Sequence, residues 1–274
     1  MTRLLARAQR ILLTGSAFLF FFLGGTVLSY VLLPLAWHRG GGPREERARR
    51  CRGVLARAWR IFHWYMQAAG LLRYDPRSVR LQLPDGPFVM VANHPTLVDV
   101  TAIVSACPQA VSIAKSAMFR SPLVGRLLRY CDHIDAGDGS PFSGVAVAER
   151  ALALLASGTP ILVFPEGTRS PERGLGEFRH GPFEIAARAG VPVVPLFLTC
   201  DPPTLMRGRP WYEVPERMAT LTVIQLPTLR PPHGPARDLA SALRSVYLER
   251  LARAGPDGRQ ASPSTRPVAT PHAS

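Results

Sequence analysis

The sequence has almost no lysine. Of its 33 basic residues only Lys115 is lysine, and the other 32 are arginine. Such a skew is the mark of a base-composition bias, so the number of arginines says little and their placement says more. Acidic residues are also few, 19, which leaves a formal charge of +14. Residues 1–80 hold 14 Arg against Glu45, Glu46 and Asp75, a net of +11, while residues 81–274 hold 19 basic and 16 acidic residues, a net of +3. A domain basic throughout, as nucleic-acid binding needs, is excluded by that division. The excess points instead to the anionic surface of a bilayer. Cysteine is sparse as well. Cys51, Cys107, Cys131 and Cys200 form no CxxC, which fits neither a zinc site nor a small disulfide scaffold. Reduced thiols serving as small apolar fillers, in a protein facing the cytosol, are the reading that remains. Charged residues are only 19% against 47% hydrophobic, so the chain as a whole is not disordered. Its 274 residues allow one or two domains, and no internal repeat divides them.

What is present begins with a long uncharged stretch. Residues 11–37 carry no Asp, Glu, Lys or Arg. As a helix they would extend about 40 Å, where a bilayer core of about 30 Å needs about 20 residues. A single span is one arrangement. A membrane-embedded hairpin bent near Gly24-Gly25, with both basic flanks on one side, is another. A cleaved signal peptide fits less well, because the run is long and no small-x-small site closes it. For a span, the heavier basic flank between Arg39 and Arg60 puts the C-terminal remainder of the chain in the cytoplasm. Either arrangement predicts an enzyme bound to the cytoplasmic membrane. Residues 44–72 then read as one helix with an apolar stripe of Cys51, Leu55, Trp59, Phe62 and Met66. That stripe could rest on anionic headgroups or pack on the domain C-terminal to it.

After residue 80 the pattern changes. Residues 88–92, 161–164 and 193–198 are short apolar runs suited to buried strands, and 221–226 alternates like an edge strand. Helical patterns fall between and after them, at 98–107, 124–131, 145–157, 183–189 and 239–254. The alternation predicts an α/β fold, a central mixed sheet flanked by helices. The expected organisation is a membrane anchor over 1–43, a basic amphipathic helix over 44–80, a catalytic domain over 81–254 and a disordered tail over 255–274.

Two clusters carry chemistry, and each directly succeeds an expected strand. In the first, His94 and Asp99 stand five residues apart. That spacing lets a carboxylate curl back onto an imidazole, fix its tautomer and leave the other ring nitrogen as a general base. A pair that merely caps a loop has the same spacing. In the second, Glu166, Gly167, Thr168 and Arg169 gather an acid, a flexible turn, a hydroxyl and a guanidinium. This is where α/β sheets bind ligands, and an Arg there can clamp a phosphate. A tight turn with a surface ion pair has the same letters. There is no GxSxG nucleophile elbow.

These residues resemble a known family, the glycerolipid acyltransferases that include bacterial 1-acylglycerol-3-phosphate acyltransferase. Residues 93–99 match its HxxxxD block. Lys115, Phe119, Pro122 and Gly125 match a less specific second block, residues 164–170 match FPEGTRS, and residues 191–195 match a fourth. The resemblance implies that His94 deprotonates an acceptor hydroxyl as it attacks an acyl thioester, with Asp99 orienting His94. It implies that Glu166, Gly167, Thr168 and Arg169 bind the acceptor's glycerol phosphate end. It further implies acyl-CoA or acyl carrier protein as co-substrate, no other cofactor, no metal and no covalent enzyme intermediate. Lys115, as the sole lysine, is a candidate to face the thioester oxyanion or a substrate phosphate.

The pattern departs from the family in one block. Members acting on phosphate-bearing acceptors usually carry an Arg at the end of the second block, and residues 131–138 have none. Asp132, Asp135 and Asp138 stand there instead and would repel a phosphate unless screened. Residues 201–215, with Trp211 and Tyr212, resemble a loop in members associated with aryl-polyene and related lipid pathways. The leading expectation is acylation of lysophosphatidic acid to phosphatidic acid. Acylation of another lipid or polyene hydroxyl is the alternative, and a non-catalytic lipid-binding protein of the same fold is the reading from a different class.

Overall fold

A computed structural model describes residues 2–74, 79, 81–230 and 235–254. The tail expected over 255–274 lies outside the described residues. The chain opens with one apolar helical run: α1 (Thr2–Val27), a π-helical turn (Leu28–Leu32) and α2 (Leu33–His38). It passes through Gly24 and Gly25 as helix, so the hairpin bent at that pair is not formed. Residues Leu4–His38 make a helix of 35 residues, long and apolar enough to cross a membrane by length and composition.

The run is packed against the rest of the chain along most of its length. Arg10 Nε donates to Pro215 O at 2.7 Å and the hydroxyls of Ser16 and Tyr65 meet at 2.7 Å. Phe21 stacks on Trp59, Ser29 Oγ donates to Leu123 O at 2.7 Å, and Trp37 meets Tyr130 edge to face. The partner helix, α3 (Arg44–Ala68), turns the predicted stripe inward: Cys51, Leu55, Phe62 and Met66 are buried. Packing on the domain, the second use foreseen for that stripe, is the one realised. Ile61 and Trp64 on another side of α3 are 56% and 69% exposed.

Seven strands form one sheet in the spatial order β1-β7-β6-β2-β5-β3-β4. They are β1 (Leu72–Arg73), β2 (Val89–Ala92), β3 (Val111–Ala114), β4 (Ile134–Asp135), β5 (Ile161–Val163), β6 (Val193–Asp201) and β7 (Ala219–Gln225). Among the described strands only β6 and β7 pair antiparallel with each other. The sheet is therefore mixed, as predicted. The 221–226 segment, predicted as an edge, is one strand in, because β1 pairs outside it through Leu72↔Ala219 and Arg73↔Thr220. The sheet thus begins before residue 81.

Helices α4 (Asp99–Ala106), α5 (Ser116–Arg120), α6 (Val124–Tyr130), α7 (Pro141–Ala156), α8 (Gly181–Ala189) and α9 (Ala236–Ala254) complete the fold. The all-buried strand β2 explains the layering. Val89 and Val91 face a core shared with α7, α8 and α9, while Met90 and Ala92 face one shared with α4. Parallel strands covered on both faces read as continuous apolar runs rather than alternating ones. Tyr247 of α9, fully buried, donates to Val91 O at 3.0 Å and Leu196 O at 3.1 Å, which ties the helix to the sheet beside the site.

Candidate active site

The site is built where β2 ends. Strand β2 runs beside β6 up to Ala92↔Leu196. Beyond it the Asn93 side chain takes over the pairing: Nδ2 donates to Leu198 O at 2.9 Å and Oδ1 accepts from Leu198 N at 2.7 Å. The main chain is then free to leave the sheet at His94.

His94 Nδ1–H donates to Asp99 Oδ2 at 2.8 Å. Asp99 opens α4, where the helix N-terminus favours a negative charge. Its other bonds come from Thr96, whose N–H reaches Oδ2 at 2.7 Å and whose hydroxyl reaches Oδ1 at 2.6 Å. Complete burial pushes the Asp99 carboxyl up from its usual range, and the bonds from His94 and Thr96 oppose that shift. The His94 ring stacks on Phe164, centroids 4.3 Å apart. One nitrogen is therefore held by a buried carboxylate and one ring face by an aromatic. Nε2 is left for a reacting proton.

The second cluster lies behind the first. Glu166 Oε1 accepts from Ser170 Oγ at 2.7 Å and from the His94 N–H at 3.2 Å, and Oε2 accepts from Gly176 N at 2.7 Å. Ser170 N in turn donates to His94 O at 2.7 Å. Glu166 is buried and both its oxygens are taken inside the protein, so its carboxylate braces the His94 backbone. Gly167 has φ +66°, a left-handed turn that a side chain would strain. Gly125, in the second block, is needed for closeness: a Cβ there would come 2.2 Å from Phe119 O.

His94 opens onto a cavity of about 570 Å³. Its lining includes Lys115, Thr168, Arg169 and Arg207 together with apolar side chains such as Phe18 and Phe22 of α1, Trp59 and Leu55 of α3, and Leu127 of α6. Gly167 lines it too, and Glu166 does not. The structure thus brings together His94, Lys115, Gly167, Thr168 and Arg169, with Asp99 and Glu166 behind them. Arg207 had no local signal in the sequence. It arrives because the β6–β7 loop folds back: Leu205 O accepts from Leu97 N at 3.2 Å and Arg169 Nη1 at 2.9 Å, and Arg209 pairs with Glu172. Leu205 sits at φ +51°, a conformation those two bonds hold. Trp211 of the same loop packs edge to face on Phe18 and stays half exposed, as does Tyr212.

The three carboxylates of the second block do not reach this cavity. Asp132 is buried and paired with Arg44 at 3.0 Å and Arg150 at 2.6 Å. Asp135 accepts from Ser116 and Gly137, and Asp138 accepts from Ser140 N. None lines the cavity, so the repulsion anticipated from them is absent there. The four thiols are free. Burial pushes them up, Cys51 to about 11 and Cys107 and Cys200 to about 12, with Cys131 raised further. They pack as apolar fillers.

The chain is similar to known proteins in sequence and in fold. Residues 74–199 match the acyltransferase family model. The chain is 32% identical over 168 residues, 61% of its own length, to a 1-acyl-sn-glycerol-3-phosphate acyltransferase of Chlamydomonas reinhardtii. It is 36% identical over 114 residues, 42% of its length, to a chloroplastic one of Brassica napus. It spans 49% of the first relative and 33% of the second. In fold it resembles the crystal structure of the 1-acyl-sn-glycerophosphate acyltransferase of Thermotoga maritima, with a TM-score of 0.70 at 19% identity, over 90% of this chain and 97% of that one.

Proposed function

We propose that the acyltransferase-family domain of residues 74–199 transfers a fatty acyl group from an acyl thioester to the free hydroxyl of lysophosphatidic acid, giving phosphatidic acid. The observation that carries this reading is the His94–Asp99 pair opening onto a large, mostly apolar cavity whose lining includes Lys115, Arg169 and Arg207. His94 Nε2 takes the proton of the acceptor hydroxyl as the oxygen attacks the thioester carbonyl. Asp99 keeps the proton on Nδ1 and stabilises the imidazolium that forms. The tetrahedral intermediate then collapses, expelling the thiolate of CoA or of acyl carrier protein, which regains a proton. Metal and covalent enzyme intermediate are not needed.

Lys115, Arg169 and Arg207 form the anion site. Lys115 and Arg207 have no ion-pair partner among the described residues, and they are available to a phosphate or to the thioester oxyanion. Arg207 supplies the positive charge that the second block lacks. Glu166 acts through His94 as a positioning residue. The acyl chain occupies the apolar body of the cavity, whose size suits a lipid tail.

The contacts from Arg10 to Trp37 also bear on the membrane. That stretch is about 40 Å of helix, and a helix held against the domain over that length cannot cross a core of about 30 Å with the domain outside. On this reading the helix lies in one leaflet, on the cytoplasmic face, an arrangement distinct from both the single span and the hairpin considered from sequence.

The acceptor assignment is tested by Arg207→Ala and Arg169→Ala. Each raises the KM for lysophosphatidic acid at least roughly tenfold, since a charge-assisted hydrogen bond contributes about 1.5–3 kcal/mol, and leaves the KM for an uncharged monoacylglycerol unchanged. Equal effects on both acceptors would rule out a phosphate at these arginines.

A further inference from the structure

Among the polar side chains lining the cavity that the proposed reaction leaves unused are His133 and Ser112. His133 is 8% exposed and stands just before β4, beside β3. The Ser112 backbone N–H donates to its Nδ1 at 2.8 Å, and the Ser112 hydroxyl lies 2.9 Å from the same atom. A ring nitrogen that accepts a backbone N–H carries no proton, so the proton is on Nε2. Burial, helped by the Arg52 guanidinium, lowers the imidazole to about 4, and the ring is neutral at physiological pH. Among the described residues Nε2 has no hydrogen-bond partner. Yet His133 and Ser112 line the cavity together with Val104, Leu127 and Leu128.

We propose that His133 Nε2–H donates a hydrogen bond to an oxygen carried on the acyl chain, so that the donor taken by this site is a hydroxy- or oxo-acyl thioester. The proposal rests on the acyl-transfer reading and names its substrate class. A saturated chain beside this N–H would remove its water and return nothing, and an unpaired donor in an apolar site is costly. A Leu or Phe at position 133 would serve a saturated chain better. Sites built to hydrogen-bond a substrate hydroxyl discriminate strongly against the analogue that lacks it. Which chain carbon bears the oxygen is read by varying its position.

The experiment is a competition. The full-length protein in phospholipid vesicles receives lysophosphatidic acid with equal amounts of stearoyl and hydroxystearoyl thioester. The hydroxyl is placed at successive mid-chain carbons, and both CoA and carrier-protein conjugates are used. The two products are counted by mass spectrometry. The wild type favours the hydroxylated chain roughly tenfold or more at one or two positions. His133→Phe moves the ratio to favour stearoyl, and His133→Gln, which keeps an N–H donor, retains the hydroxyl preference. The ratio is internal to each reaction, so a loss of overall rate does not obscure it. Equal transfer at every hydroxyl position, or the same ratio in wild type and His133→Phe, overturns the proposal and leaves acyl transfer intact. Should His133→Phe fail to fold, His133→Leu serves for the same comparison. No transfer of any chain to any acceptor by the wild type overturns the acyl-transfer reading and this inference with it.

Discussion

At the scale of residues, the proposed reaction divides the site into groups that would react and groups that hold them. Asp99 is held by Thr96 as well as by His94, so Asp99→Asn keeps the packing but loses the tautomer control. By the behaviour of other His–carboxylate pairs, kcat should fall about 10³–10⁴-fold with the acceptor KM little changed. Glu166→Gln should lower kcat while leaving acceptor KM nearly unchanged, because its oxygens brace the His94 backbone and do not line the cavity. A rise in acceptor KM alone would return Glu166 to the substrate-binding role the family resemblance implied. Steady-state kinetics on both variants separate these outcomes. The His94–Asp99 contact was legible in the sequence because the two residues stand only five apart, so local geometry decides it. Glu166 was found but its partners were not, since Ser170 and Gly176 reach it through a fold-back that no spacing encodes. Arg207 was invisible for the same reason: its position depends on the two hydrogen bonds to Leu205 O.

At the scale of elements, strands β2, β5 and β6 were readable because a strand covered on both faces must be apolar throughout. Strands β1 and β4 have two residues each, too short to show any periodicity, and β3 carries Ser112 among its four. Helix α3 was legible as a stripe, but which surface the stripe meets depends on the sheet it packs against. Its other side predicts an interaction. Ile61 and Trp64 stand beside a helix whose Leu4, Leu12, Leu19, Leu23 and Leu35 are also exposed. Exposed apolar side chains on neighbouring helices are of the kind that meets lipid. Substituting Ile61→Ser and Trp64→Ser should weaken flotation with phospholipid vesicles roughly tenfold or more, on about 0.8 kcal/mol per buried methylene, without lowering the unfolding midpoint in detergent. Unchanged flotation would mean that α3 faces water.

At the scale of the whole molecule, charge and buried imidazoles govern behaviour. The excess of +11 in residues 1–80 should make vesicle binding depend on anionic lipid and weaken it as salt rises from about 0.05 to about 0.5 M. Binding indifferent to both would leave the apolar surface as the whole attraction. His63 and His133 are both lowered to about 4 by burial. Unfolded, each would bind a proton near 6.5, so stability rises with pH between about 4 and 6.5 and is lost on acidification through that window. Each contributes up to about 3 kcal/mol across it, and Asp99, shifted the opposite way, offsets part. Urea midpoints at pH 4.5 and 7 in detergent should differ in that direction, and equal midpoints would contradict the burial of the two rings. The central claim, that this fold carries acyl transfer through His94, is tested most directly by mass spectrometry of the lipids of cells expressing wild type or His94→Ala at equal protein level. A phosphatidic-acid product should accumulate with the wild type and be lost with His94→Ala. The same product persisting in the variant would contradict the claim.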